Sequence, residues 1–168
     1  LGDDFYNDPV SGHCYYYEDT ADLSHAAANA ACVGNGGYLA QISDGTEDSM
    51  VYTQLGVADF TWFGAEDASE GVWKWQDGTQ FWAGNNPGAS FGGGYANWTA
   101  GEPNDWGGNE DCGGWAYGPE WNDEVCSGAQ HYVCELDSTS VAATIPAGAI
   151  AHWKFDETSG AVAADSAG

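Results

Sequence analysis

Positive charge is almost missing from this sequence. Its 168 residues hold two lysines or arginines against 26 aspartates and glutamates, a formal net charge of −24. Like charge repels such a chain from nucleic acid and from anionic membrane surfaces, so neither is an expected partner. Long apolar runs are missing too: nothing is long enough to cross a bilayer, so no membrane insertion is expected, and residues 1–20 lack the basic start and apolar core of a secretion signal. The five cysteines (Cys14, Cys32, Cys112, Cys126, Cys134) show no zinc-knuckle or CxxC spacing. Disulfides in an oxidising, extracellular or cell-surface setting are their expected use, and an odd count leaves at least one thiol free or paired outside the chain. The four histidines (His13, His25, His131, His152) are scattered, and no serine or cysteine has a recognisable base nearby in sequence, so the chain is not expected to be an enzyme.

What is present is enough apolar material for one good-sized core: 43% hydrophobic and 14% aromatic residues. Most of the acids read as a solvated surface suited to salty or divalent-rich water. The stretch "EPNDWGGNEDC", residues 102–112, is different. It gathers Glu102, Asp105, Glu110 and Asp111 with two carboxamides, Asn104 and Asn109, and no base. A bound cation is the first candidate for holding so much charge in one loop.

Along the chain, the alanines and other small residues of "TADLSHAAANAAC" and the stop "GNGG" predict a helix ending at 34–37, followed by a strand at Tyr38–Ile42. "DGTEDSMVYTQLG" predicts a second short helix with Met50, Val51 and Leu55 on its apolar face. "FTWFGA", "GVWKWQDGT" and "QHYVCEL" read as strands. Residues 78–120, dense in Gly, Asn and Pro, read as one long loop of the kind that carries function.

In order, "AAANAAC", "GGYLAQI", "WFGA", "EPN", "WND" and "YVCEL" resemble the C-type lectin domain across residues 12–136. The resemblance implies an α+β fold with two helices, small antiparallel sheets whose first and last strands lie together, and a long calcium-binding loop region. It implies the disulfides Cys32–Cys134 and Cys112–Cys126. It also carries over a calcium site from Glu102, Asn104, Glu110, Asn122 and Asp123, an oxygen-only set suited to a hard cation, with Pro103 in a cis peptide. A second site is implied from Glu66 and Glu70 with Asp105 and Asp111, although the segment after "WFG" is one residue short and Asp67 is an alternative to Glu66. Trp106 is placed either to pack on a sugar ring or to anchor the loop.

The segment 81–98 is longer than a compact family member has. Trp82, Phe91 and Tyr95 are expected to pack it down, the alternative being an extended binding face. "NWT" at 97–99 is a glycosylation sequon next to the acid-rich loop. Cys14 sits where longer members keep the second cysteine of an N-terminal hairpin, which implies a partner upstream of Leu1 or a lone thiol.

Residues 1–11 are then an N-terminal extension, and 137–150 a Ser/Thr/Ala-rich linker. Residues 151–168 resemble the start of a laminin-G-like, concanavalin-type jelly roll, or form a strand-donating tail. The expected function is calcium-dependent binding of a glycan of the mannose, glucose, N-acetylglucosamine or fucose class. The alternative is a structural or adhesive module of an extracellular surface assembly or filament, binding other copies of the chain or neighbouring surface proteins, with calcium stiffening the loops.

Overall fold

A computed structural model describes residues 4–137; the expected linker beyond Asp137 and the segment 151–168 lie outside the described residues. The elements run β1 (Asp4–Asn7), β2 (Cys14–Leu23), α1 (His25–Gly34), β3 (Tyr38–Leu39), α2 (Gly45–Gln54), β4 (Thr61–Glu66), β5 (Val72–Lys74), β6 (Gln80–Ala83), β7 (Ala89–Ser90), β8 (Cys112–Tyr117), β9 (Glu120–Glu124) and β10 (Gln130–Leu136). The α+β class with two helices is as the sequence implied. The sheets are not separate, however: hydrogen bonds join ten strands in one sheet, ordered β1-β2-β10-β4-β5-β6-β7, with β3 on β10 and the β8–β9 pair on β4. The first and last long strands lie together, as β10 pairs antiparallel with β2, and β10 runs parallel to β4.

Helix α2 starts for a local reason. In α2, the Asp44 side chain accepts from the backbone of Thr46 (2.7 Å) and Glu47 (2.9 Å), while Glu47 reaches back to the Ser43 backbone (2.6 Å), a reciprocal capping arrangement. The α1 stop at "GNGG" is also tertiary: a Cβ on Gly37 would come within 2.2 Å of the Glu135 carbonyl, so only glycine lets this turn lie against β10. The disulfide Cys32–Cys134 ties α1 to β10 (Cα–Cα 5.5 Å), and Cys112–Cys126 ties the start of β8 to the segment after β9 (5.2 Å).

Four expectations are corrected by the fold. The stretch "TADL" belongs to β2, and the strand expected at Tyr38–Ile42 ends at Leu39. "GVWKWQDGT" is β5 plus a turn into β6, closed by Trp75 N–H to the Thr79 carbonyl (3.0 Å). The long loop 78–120 contains β6, β7 and β8. Its glycines mislead because they serve a sheet: a Cβ on Gly113 would lie 2.9 Å from the Ala65 side chain, and one on Gly114 2.9 Å from the Thr61 carbonyl. Glycine there lets β8 pack closely on β4.

The β1–β2 hairpin brings Asn7 opposite Cys14, whose Sγ lies 2.6 Å from Asn7 Oδ1. The cross-strand place facing Cys14 in this register is held by asparagine. Beneath the loops lies an aromatic core. Phe63 of β4 packs on Trp115 of β8 (4.9 Å between centroids) and on Trp121 of β9 (4.8 Å), and Trp75 stacks on Phe81 (4.2 Å). One carboxylate is buried among them. Asp48 of α2 accepts from Trp115 Nε1 (2.9 Å), Trp121 Nε1 (3.3 Å), Tyr95 Oη (3.0 Å) and Asn97 Nδ2 (3.0 Å), where the helix pattern alone suggested only apolar side chains.

Candidate functional site

Strand β9 carries "WND" into the acid-rich loop. Trp121 faces the aromatic core, and Asp123, completely buried, faces the loop. The two Asp123 oxygens accept from the backbone of Asn104 (3.1 Å) and Asp105 (2.6 Å), which pins "EPND" to the strand. Glu110 folds back on the same loop, with its Oε2 accepting from Trp106 N–H (2.9 Å) and its own N–H donating to Asp105 Oδ1 (3.1 Å). Asp105 takes a left-handed backbone (φ 49°), which aspartate tolerates better than most residues. Asn104 Nδ2 donates to Glu102 Oε2, and the Glu102–Pro103 peptide is cis, as expected. Glu102, Asn104, Glu110 and Asp123 are thus brought together, and Asn122 stands beside them on β9.

Among the described residues, no basic side chain relieves this charge. The one lysine or arginine among the described residues, Lys74, lies on β5 in register with Glu66. Burial pushes the Glu102 carboxyl up to about 7, and Asp123 and Glu110 add to the shift while Asn104 opposes it. Glu110 is raised as well, by burial first and then by Asp123, Glu124 and Asp105, against the Trp106 N–H. The Asn122 Oδ1 is screened from solvent and has no protein hydrogen-bond partner, its Nδ2 being given to Glu124 (2.8 Å). Crowded carboxylates beside an unpartnered carbonyl oxygen, with no nitrogen or sulfur donor among them, fit a hard cation such as calcium.

The second group of acids assembles with one change. Glu70, Asp105 and Asp111 offer carboxylate oxygens within 4.8 Å of one another. Glu66 is not brought into that group; it closes β4, paired with Lys74 and Cys112. The next residue fits better. Asp67 is 2% exposed, its N–H donates to the Asp111 carbonyl (3.0 Å), and its Oδ1 is buried without a partner. Burial lifts its carboxyl to about 7, with Glu70 and Asp111 adding to the shift against the Gly71 N–H. Asp67, the alternative considered for Glu66, therefore lies beside Glu70 and Asp111, though outside the three-carboxylate group itself. Sequence reasoning missed Asn85 entirely, whose Nδ2 donates to Glu70 Oε1 (2.6 Å) from fifteen residues away; nothing in the local sequence signals that contact.

Around the site, Trp106 is 80% exposed and so does not anchor the loop. Tyr95 packs on Trp121 (5.5 Å) and Trp82 is half-buried, as expected of packing residues, whereas Phe91 is half-exposed. The Asn97 amide of the sequon donates to Asp48 (3.0 Å) and to the Pro119 carbonyl (2.8 Å), so both its protons are already used.

Comparison with known proteins agrees with this geometry. A family model, the Lectin C-type domain, matches residues 21–136. Human C-type lectin domain family 10 member A is 36% identical over 127 residues; the match covers 73% of this chain but spans only 36% of that relative's length. Among solved structures, the mouse scavenger receptor C-type lectin carbohydrate-recognition domain superposes with a TM-score of 0.66 at 26% identity, covering 82% of this chain and 98% of that one. A calcium-independent type II antifreeze protein superposes with a TM-score of 0.63 at 26% identity, covering 82% and 94%. With its two disulfides, its strand order and a family match over most of its length, the chain belongs to the C-type lectin domain family.

Proposed function

We propose that the loop site binds calcium and, through it, a neutral glycan of the mannose, glucose, N-acetylglucosamine or fucose class, in an extracellular or cell-surface setting. The observation that carries this reading is the pairing of Glu102 with Asn104. They meet as acceptor and donor at the loop surface, with exposed Trp106 two residues on. Glu102, Asn104, Glu110, Asn122 and Asp123 would hold the ion. When bound, calcium supplies coordination positions for two adjacent sugar hydroxyls. Each hydroxyl still has a proton to give and a lone pair to accept with. Glu102 and Glu110 take the protons, Asn104 and Asn122 give N–H, and the Trp106 ring is free to pack on the apolar face of the sugar. The order acid then amide in "EPN" suits equatorial neighbouring hydroxyls, and an axial 4-hydroxyl fits worse. One such site has few contacts, so affinity is expected near about 1 mM, and useful avidity needs several copies.

The second acid group, Asp67 and Glu70 with Asp105 and Asp111, is proposed as an auxiliary calcium site that stiffens the same loop. A structural or adhesive role is the competing reading, favoured by the protein-only bonds that already hold Asp123 and Glu110. Retention on a glycan array with calcium, and its loss with chelator, tests the first reading. The paired exchange Glu102→Gln with Asn104→Asp keeps the oxygens and reverses donor and acceptor, so preference should move toward galactose. Equal binding of mannose and galactose by the native domain, or binding of neither with calcium present, hands the site to the structural reading.

A further inference from the structure

Two stretches of chain carry the acid-rich site, and one buried carboxylate of α2 holds both. Asp48, 1% exposed, gives each of its oxygens two partners: Oδ1 accepts from Trp115 Nε1 and Trp121 Nε1, and Oδ2 from Tyr95 Oη and Asn97 Nδ2. All four donors are neutral. Burial pushes the Asp48 carboxyl up, and the bonds from Trp115, Tyr95, Trp121 and Asn97 oppose the rise. Packing alone gives no reason for this residue, since an apolar side chain fills such a place without taking a charge out of water.

Two of the donors lead directly to the proposed ion ligands. Trp121 immediately precedes Asn122 and Asp123 on β9, and Asn97 opens the run 97–102 that ends at Glu102. Backbone bonds lace these two arms together: Trp121 N–H donates to the Asn97 carbonyl (2.9 Å), Thr99 N–H to the Trp121 carbonyl (2.9 Å), and Glu102 N–H to the Thr99 carbonyl (2.9 Å). Asp48 takes one side chain from each arm. Its own place is firm, because the Asp44 cap fixes the start of α2. Gly45, in the same first turn, lies against the Tyr95 ring, which a Cβ there would meet at 3.4 Å.

We propose that Asp48 is a positioning residue for the calcium site, fixing Glu102 on one arm relative to Asn122 and Asp123 on the other. This rests on the calcium reading of that site. Both Asp48 oxygens are used by protein donors, so the residue acts through the arms rather than as a ligand. The task suits a carboxylate, which presents only acceptors. An asparagine there has one oxygen for four donors, and its NH2 group would face two of them.

Asp48→Asn therefore keeps the shape and removes one acceptor. Calorimetry reads calcium affinity, and terbium(III), a luminescent stand-in for calcium, reports by its decay in light and heavy water how many waters it keeps. Asp48→Asn should weaken calcium about tenfold, and its bound terbium should keep about one water more than in the native domain. Asn97→Ala, which cuts the side-chain link to the Glu102 arm, should weaken calcium about threefold, and the double variant should be no weaker than Asp48→Asn alone. Val51→Ala, in the core on the same helix, is the control: the melting midpoint should fall while calcium affinity stays within about twofold and the water count is unchanged. In chelator, exchange of the Trp121 and Glu102 amides should rise relative to β2 and β10 in Asp48→Asn but not in Val51→Ala.

Native affinity and water count in a folded Asp48→Asn overturn the proposal, as do additive losses in the double variant or an equal loss in Val51→Ala. If Asp48→Asn does not fold, Asn97→Ala against Val51→Ala decides by the same measures. If the native domain binds neither ion, the calcium reading falls. Asp48 then stands as the clamp of the two arms if the exchange contrast appears in chelator, and falls with that reading if it does not.

Discussion

Glu135 on β10 and Asp123 on β9 are both buried carboxylates, 2% and 0% exposed, but they are satisfied in different ways. Glu135 lies in the disulfide-tied frame. His13 Nδ1 sits 2.6 Å from its Oε1, the Tyr38 hydroxyl donates at 3.1 Å, and Gln41 N–H donates to the other oxygen at 2.9 Å. Asp123 lies under the loop face, where its only donors are backbone N–H groups of the loop itself, and its neighbours Glu102 and Glu110 add charge. Glu135 is thus closed by two side chains and one backbone N–H of the frame. The loop face arranges acids around unpartnered oxygens and leaves their charge for something outside the chain. That difference predicts where each region breaks.

The largest effect belongs to the frame. Replacing Cys32 and Cys134 by serine opens a loop with a sequence separation of 102 and should cost about 4–5 kcal/mol by loop-closure entropy. The same change at Cys112 and Cys126, separated by 14, should cost about 3 kcal/mol. Denaturant unfolding of the two double variants checks the order, and a larger loss from the second pair would make the loop face, rather than the frame, the stability centre.

Calcium comes next. At a hundred times its dissociation constant it should add about 2.7 kcal/mol, and chelation should raise hydrogen exchange and protease cleavage across residues 102–111 while β2 and β10 keep their protection. Equal protection of the loop with and without chelator would count against a cation role. Acid separates the two states by sign. Glu102 has its folded pKa raised to about 7 from an ordinary 4.5, so without a cation its stabilising contribution is present below about 4.5 and lost as pH rises through about 7. With calcium the ligand is the carboxylate, so the calcium contribution should grow as pH rises through the same range. Stability should therefore fall from pH 5 to pH 8 in chelator, and the calcium increment should rise over that interval; parallel pH curves with and without calcium would remove Glu102 from the site.

Two smaller effects sharpen the contrast. With 26 acids against two bases, raising salt from about 0.1 M to 1 M screens the repulsion and should raise the calcium-free melting midpoint by roughly 2–4 °C, equivalent to about 1 kcal/mol. Cys14→Ser should change stability by less than about 0.5 kcal/mol, since Asn7 can accept from a hydroxyl as it does from the thiol. Thiol titration of the unreduced chain, unfolded in denaturant, should count one free cysteine.

Much of the fold was readable because its causes are local. The cap at Asp44, the glycine stop after α1 and the aromatic strand β4 each announce themselves within a few residues. The calcium-type loop was readable for the same reason, as Glu102, Asn104 and Glu110 fall within nine consecutive positions and need only a turn to meet. Strand β8 was not, because Gly113 and Gly114 look like loop residues until Ala65 and Thr61 are seen to press on them. Asp48 was hidden by a helix pattern that reports which face is buried but not which indoles wait there.

By itself, the sequence determined the absence of counter-charge and the oxygen-only chemistry of the loop, since these depend on composition and on neighbours along the chain, while the α+β class followed from the resemblance of its motifs to the C-type lectin domain. Only the tertiary structure decided that Asp67 rather than Glu66 faces Asp111, that Asn7 stands opposite Cys14, and that Asn85 and Asn86 tie their turn to Glu70 and Pro103. Those outcomes turn on strand register and on one residue more or less between two turns, quantities fixed by packing across the sheet, which no local stretch of sequence contains.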